Sequence, residues 1–427
     1  MQNAIQQRSR EGLMSGLTRN RACPICSSSN SILVREFPDS PLGDNLCESP
    51  ETSKRQPLLP MNLVICNKCS HIYLLDVASP DLTYKSYSFK SSRSPGLQDS
   101  MKSSKEFLEM NLTRGPRTVL DIGANDGTWL TLFNTDDCDV FGIEPSASHI
   151  NELKSMGISC YEGYFDGGAY ESVRDWLDGR TLDLITINNT FANIENLNAS
   201  MELLYKLATE ETVVSIITGY HFEQFSAGMY DYVYHEHLSY LSVKDLVFLA
   251  NEYGFNDMQA RTFPLKGGSL QFIFSKRKRR GVHFDEIQRR VQHEGWILEK
   301  PETYASKVSN DITRRVKVTQ NVSRILRINK SNLVGYGYAH SSSTLIYMCG
   351  LQEILTRLVD DNNLRWGLFS PGCGLEIGNP SSINPSFESI LILAWQHEHR
   401  IATKLRCANK SISFSNPLGT IYENIEG

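Results

Sequence analysis

The chain has no apolar run approaching the roughly 18 residues that suggest a membrane span, and its first twenty residues carry no apolar core of a secretion signal. These absences predict a cytoplasmic protein with no membrane partner. It also lacks a basic excess: 43 lysines and arginines stand against 48 acids, a formal net charge of -5. That argues against a general affinity for nucleic acid and favours a small soluble substrate. Cysteine is sparse, ten in 427 residues, which excludes the dense disulfide framework of small secreted domains. No repeat of fixed period and no low-complexity tract is present. The basic run Lys276-Arg-Lys-Arg-Arg280 has no interleaved aromatics and reads as a solvated connector.

What is there divides into modules, since single cores stop growing below this length. Residues 1–20 read as a frayed polar lead-in, 21–80 as a small metal-centred module, 81–280 as an α/β domain and 281–427 as a second, smaller α/β module. A helical stretch is expected near Leu97 to Leu112. Apolar strands at Thr118–Ile122, Val140–Ile143, Leu182–Ile187, Val213–Thr218 and Leu270–Phe274 alternate with amphipathic stretches, the pattern of an open sheet with helices on both faces. A helix-rich segment, Phe284 to Asn329, breaks at Pro301. Beyond it, Leu333–Tyr336 and Ile390–Trp395 read as strands and Ser343–Leu358 as helix.

Cys23-Pro-Ile-Cys26 and Cys66-Asn-Lys-Cys69 each aim two thiolates from one tight turn at a common point, and two such turns make a tetrahedral four-sulfur cage for zinc. A four-cysteine site leaves no open position for substrate, so this zinc is structural.

In Val119-Leu-Asp-Ile-Gly-Ala-Asn-Asp-Gly-Thr-Trp-Leu130 a strand ends in an acid and runs into a glycine loop ahead of an expected helix. The candidate cofactor residues there are Asp121, Gly123, Asn125 and Gly127; glycine lets backbone amides approach a ligand closely. Glu144 ends the next strand 21 residues after Gly123, where a carboxylate grips ribose hydroxyls. The loop is not Gly-x-Gly-x-x-Gly, which favours S-adenosylmethionine over a dinucleotide. Tyr164-Phe165-Asp166 offers an aromatic and an acid for adenine, with Phe165 the leading candidate. Asn188 and Asn189 stand at the ligand-binding edge of the sheet.

The stretch Tyr230-Asp-Tyr-Val-Tyr-His-Glu-His-Leu-Ser-Tyr240 concentrates four tyrosines, two histidines and two acids. Tyr234, His235, Glu236 and His237 form its centre. The pair of histidines suits proton transfer near neutral pH or, two apart on a strand, a metal. No third ligand stands at a persuasive spacing, which favours the proton. His397-Glu398-His399 lacks the tyrosine escort and reads as a strand end or helix start, while Tyr338 and His340 stand open as binding residues or loop filler.

With these residues in hand the chain resembles the sugar C-methyltransferases of deoxysugar biosynthesis. The resemblance runs through the four cysteines, Asp-Ile-Gly-Ala-Asn-Asp-Gly, Tyr234-His-Glu-His-Leu-Ser-Tyr240, Lys266-Gly-Gly-Ser-Leu270 and Ile390-Leu-Ile-Leu-Ala-Trp395. It implies a zinc module, a class I S-adenosylmethionine-dependent methyltransferase domain and a C-terminal Rossmann-like module. It further implies a nucleotide-linked 4-keto sugar substrate methylated at its third carbon through an enolate. His237 would be the base, with Tyr234, Glu236 and a tyrosine of the segment Tyr84-Lys-Ser-Tyr87, Tyr87 foremost, lining the sugar, and His235 a further catalytic candidate. The chain departs from the family pattern at Lys266, where histidine is usual, at Gln271, where arginine is common, at Asn193, where histidine is common, and in the C-terminal glycine loop Gly335–Thr344, which lacks the usual lysine. Rival readings are a methyltransferase acting on oxygen or nitrogen and a zinc-ribbon protein binding nucleic acid. Oligomeric state is not legible.

Overall fold

The computed structural model describes residues 17–18, 20–84, 89–277, 284–408 and 412–422. Tyr87 and the end of the basic run, 278–280, lie outside the described residues. Among the described residues no helix is long and apolar enough to cross a membrane.

A seven-stranded sheet forms the centre. Its strands run side by side as Asp257–Phe263, Ser269–Ser275, Val213–Gly219, Leu184–Asn188, Thr118–Ile122, Asp139–Glu144 and Ser159–Glu162. All neighbours pair in parallel except Ser269–Ser275, which is antiparallel on both sides. Every residue of Thr118–Ile122 is buried, as expected for a parallel strand covered on both faces. The five strands expected from sequence are present, and Ser159–Glu162 and Asp257–Phe263 complete the edges. The helix expected at Leu97 to Leu112 runs Pro95–Glu109.

Two local expectations fail: the helix expected over Ser343–Leu358 runs His340–Met348, with Leu358 in the strand Arg357–Val359, and the helix expected after the glycine loop is missing. The glycine loop leads only into a short 3₁₀ turn, Leu130–Leu132. The sequence there soon runs Asn134-Thr-Asp-Asp137, residues that favour turns over helix interiors, and Asp126 bonds Thr128 through both its N–H and its hydroxyl. A long helix therefore never starts under the loop.

The N-terminal sheet pairs Ser31–Ser40, Leu59–Cys66 and Ile72–Leu74, all antiparallel. Its fourth strand comes from far along the chain: Ser239–Tyr240 pairs with Ile72 and Tyr73. The C-terminal sheet places Asn332–Tyr336 between Arg357–Val359 and Glu388–Ile392, all parallel. The two expected helical pieces are Phe284–Ile297 and Pro301–Asn329, the break falling at a proline that starts the second helix. That second helix, roughly 44 Å long at 1.5 Å per residue, packs on the N-terminal strand Ser31–Ser40 and on Glu388–Ile392. One apolar cluster accordingly joins Phe37, Met61, Val233, Ile312 and Leu391 from three parts of the chain.

Candidate active site

Four thiols converge at the N-terminal module. The sulfurs of Cys23, Cys26, Cys66 and Cys69 lie within 4.8 Å of one another, with Cys23 to Cys69 at 3.6 Å and Cys26 to Cys66 at 3.5 Å. A tetrahedron with zinc–sulfur bonds of about 2.3 Å has edges of about 3.8 Å, so the cage fits zinc. Each turn closes in the same way, Ser27 N–H donating to Cys23 O and Ser70 N–H to Cys66 O, and both serines take left-handed backbone angles.

A large cavity opens at the carboxyl edge of the central sheet. It is lined by Asp121, Gly123, Asn125, Glu144, Phe165 and Asn189, and also by Tyr234, Glu236 and His237. Nine of the residues singled out from the sequence thus meet in one space. Gly123 takes φ +79, and a side chain on it would strike Thr190 Oγ1 at 2.1 Å. Glu144 is fixed by two backbone amides, those of Asn125 and Ser146, each at 2.9 Å. Asp121 accepts from the Thr186 hydroxyl at 2.6 Å, and its full burial pushes its carboxyl well above the usual carboxylate range. The Asn125 side chain accepts from Ser91 N–H and donates to Phe89 O, tying residues 89–91 to the loop.

This donor set fits S-adenosylmethionine. With no long helix under the glycine loop, the described residues form no pyrophosphate seat of the usual kind, and the lining offers carboxylates at Asp121 and Glu144 and an aromatic ring at Phe165.

Two of the selected residues, Gly127 and His235, stand elsewhere. Gly127 does not line the cavity; its φ of +78 and the Leu153 methyl 2.8 Å from where a side chain would sit give it a packing role. His235 is buried and faces away, its Nε2 donating to Leu59 O at 3.2 Å. Tyr87 falls outside the described residues, but its neighbour Tyr84 lines the cavity and reaches Glu236 O at 3.4 Å. Asp166 is a helix cap, accepting from Ala169 N–H at 3.1 Å. Gln271 is a buried polar link, accepting from Arg261 and donating to Ser104 and Ser215.

The two histidines part because Tyr234–His237 is a turn and not a strand, closed by His237 N–H to Tyr234 O at 2.9 Å. Residues three apart then share a side, and Tyr234 Oη lies 2.8 Å from His237 Nε2. On the other edge of the ring Nδ1 is 3.1 Å from Tyr232 O. A carbonyl only accepts, so Nδ1 carries the proton and Nε2 presents its lone pair toward the cavity. Burial, helped by the charge of Lys266, holds the imidazole down at about 3, against an ordinary 6.5. Glu236 is buried, and its Oε2 has no hydrogen-bond partner among the described residues. His340 comes from the C-terminal module, its Nε2 3.8 Å from Glu236 Oε1. Sequence reading named His340 without a role, and only the docking of the two modules brings it here. Tyr338 is buried with its hydroxyl on Gly43 O, and Glu398 begins a helix, as expected for the second His-Glu-His triplet.

Three family profiles match successive parts of the chain. A zinc binding domain profile matches residues 23–84, a methyltransferase domain profile 97–260 and a C-methyltransferase C-terminal domain profile 264–417. The C-methyltransferase NovU of Streptomyces niveus is 22% identical over 386 residues, covering 89% of this chain and 90% of NovU. The chain is an S-adenosylmethionine-dependent C-methyltransferase with a structural zinc module. Among solved structures, an S-adenosylmethionine-dependent methyltransferase of Archaeoglobus fulgidus is similar over 42% of the C-methyltransferase and 94% of its own chain, at 16% identity and TM-score 0.35. One from Thermotoga maritima, described as a possible histamine N-methyltransferase, is similar over 42% and 89%, at 13% identity and TM-score 0.33. Carbon as the acceptor sets aside the readings of oxygen or nitrogen methylation.

Proposed function

We propose that the enzyme methylates the carbon beside the ketone of a nucleotide-linked 4-keto deoxysugar, at its third carbon, and that His237 removes the proton from that carbon. The reading rests above all on the His237 imidazole, whose Nδ1–H donates to Tyr232 O and whose bare Nε2 meets a tyrosine hydroxyl inside the cavity. A carbon acid beside a carbonyl needs a positioned base and donors for the oxygen that becomes negative. S-adenosylmethionine, when bound, supplies an electrophilic methyl group. Asp121, Glu144, Phe165 and the Gly123 loop would hold it. Tyr234 and Tyr84 offer hydroxyls to the sugar, and the open oxygen of Glu236 suits a sugar hydroxyl.

The test is a panel of nucleotide-linked 4-keto sugars in deuterium oxide without methyl donor. The wild type should wash deuterium into the carbon beside the ketone, and His237→Asn should not. With donor added, the same sugar should gain one methyl by mass. A panel in which no sugar exchanges or gains mass would leave the acceptor some other carbon acid.

A further inference from the structure

The cavity holds four acids and one lysine. Among the described residues Lys266 is the only lysine or arginine lining the space that also holds Asp121, Glu144, Glu195 and Glu236. Its backbone takes φ 51 and ψ 40, the left-handed region, where a residue with a side chain is uncommon and costs about 1 kcal/mol or more. The turn beneath it is held firmly. Gln224 donates to Lys266 O at 3.1 Å, Gly268 N–H closes on Leu265 O at 3.0 Å, and Ser269 Oγ reaches the same carbonyl at 2.9 Å. Side chains at Gly267 and Gly268 would lie 1.6 Å from the Met229 sulfur and 2.4 Å from Glu223 Cβ. So packing dictates the turn, and the turn sets Lys266 in the cavity wall.

We propose that Lys266 is a catalytic residue whose ammonium holds the substrate's ketone oxygen and takes up the charge formed there when His237 removes the neighbouring proton. This rests on the proposed function. In the step, the carbon–hydrogen bond breaks and its electron pair becomes the carbon–carbon double bond of the enolate. The carbonyl π pair moves onto oxygen beside Lys266, and the proton ends on His237 Nε2. The pairing also resolves a conflict within the free site. Lys266 sits near enough to His237 to disfavour its protonation, which would make a weak base of it. An oxyanion lying against the ammonium cancels that repulsion as the imidazole becomes charged, so basicity rises in the transition state, where it counts. Burial also lowers the ammonium's own hold on its proton, which strengthens it as a donor.

The experiment compares Lys266→Met, Lys266→Gln and Lys266→Arg with wild type and His237→Asn, all checked for folding and for binding of S-adenosylmethionine. It measures deuterium exchange on the accepted keto sugar at saturation and as a function of its concentration. Loss of one oxyanion donor costs about a hundredfold to a thousandfold in rate, so Lys266→Met and Lys266→Gln should lose about that in saturated exchange while cofactor affinity stays within about threefold, and Lys266→Arg should recover part of it. Saturated exchange within about threefold of wild type, with only KM raised, would make Lys266 a grip on the substrate's phosphates and overturn the assignment. Exchange abolished in His237→Asn but intact in both neutral variants would overturn it while leaving the proposed function standing. A wild type that exchanges no keto sugar would remove that function and the role of Lys266 with it.

Discussion

The indole of Trp395 donates to Oδ2 of Asp231 over 3.0 Å, joining the C-terminal module to the segment that carries His237. The Gln396 amide Nε2 donates to the same oxygen at 3.4 Å. Asp231 is buried, and that burial pushes its carboxyl up to about 7.

A raised carboxyl contributes stability that is full below its ordinary pKa and fades as pH climbs through the folded value. Wild type should therefore lose stability between about pH 4 and pH 7 relative to Asp231→Asn, at up to about 1.4 kcal/mol per unit. Denaturant midpoints of the two proteins across that window give the difference directly. Parallel curves would mean that Asp231 is ionised throughout.

His237 has the opposite sign. Its folded value near 3 lies below 6.5, so acid protonates the unfolded chain first. The stability of wild type relative to His237→Asn should fall by about 1.4 kcal/mol per unit as pH drops from about 6.5 toward 3. Activity should follow, with no acidic limb of kcat/KM near 6.5 and the decline displaced to lower pH. A limb at 6.5 would contradict a buried neutral imidazole in the free enzyme.

Gly123→Ala forces a methyl against Thr190 and keeps φ positive. The expected cost is about 1–3 kcal/mol of stability and a loss of at least about tenfold in affinity for S-adenosylmethionine, read by calorimetry. Gly127→Ala strikes Leu153 instead, so it should lower the melting temperature while sparing affinity more.

One zinc per chain is expected by metal analysis. Its removal, or Cys66→Ser, should open residues 21–80 to proteolysis, because two thiolate turns held by metal replace a core that the module cannot build alone.

The central strands were legible because parallel strands buried on both faces read as apolar runs, and the thiolate turns because their spacing is local. The cofactor residues followed from the strand ends at Asp121 and Glu144. What escaped depended on distant contacts or on a turn mistaken for something straighter. His235 resembles His237 in sequence, and only the closed turn at Tyr234 separates them. Lys266 showed as an oddity before two glycines, but its place beside His237 comes from the packing of Met229 and Glu223. His340 approaches Glu236 from 104 positions further along the chain, a relation no local pattern encodes.

The pairing of Ser239–Tyr240 with the N-terminal sheet has a consequence for how such enzymes can be recombined. Residues 230–240 are fastened to the C-terminal module at Asp231 and Val233 and become a strand of the zinc module at their other end. A chimera that takes its central domain from one parent and its flanking modules from another would cut the strap that carries His237 away from both of its moorings. Functional exchange between relatives should therefore carry this segment together with the surfaces that receive it.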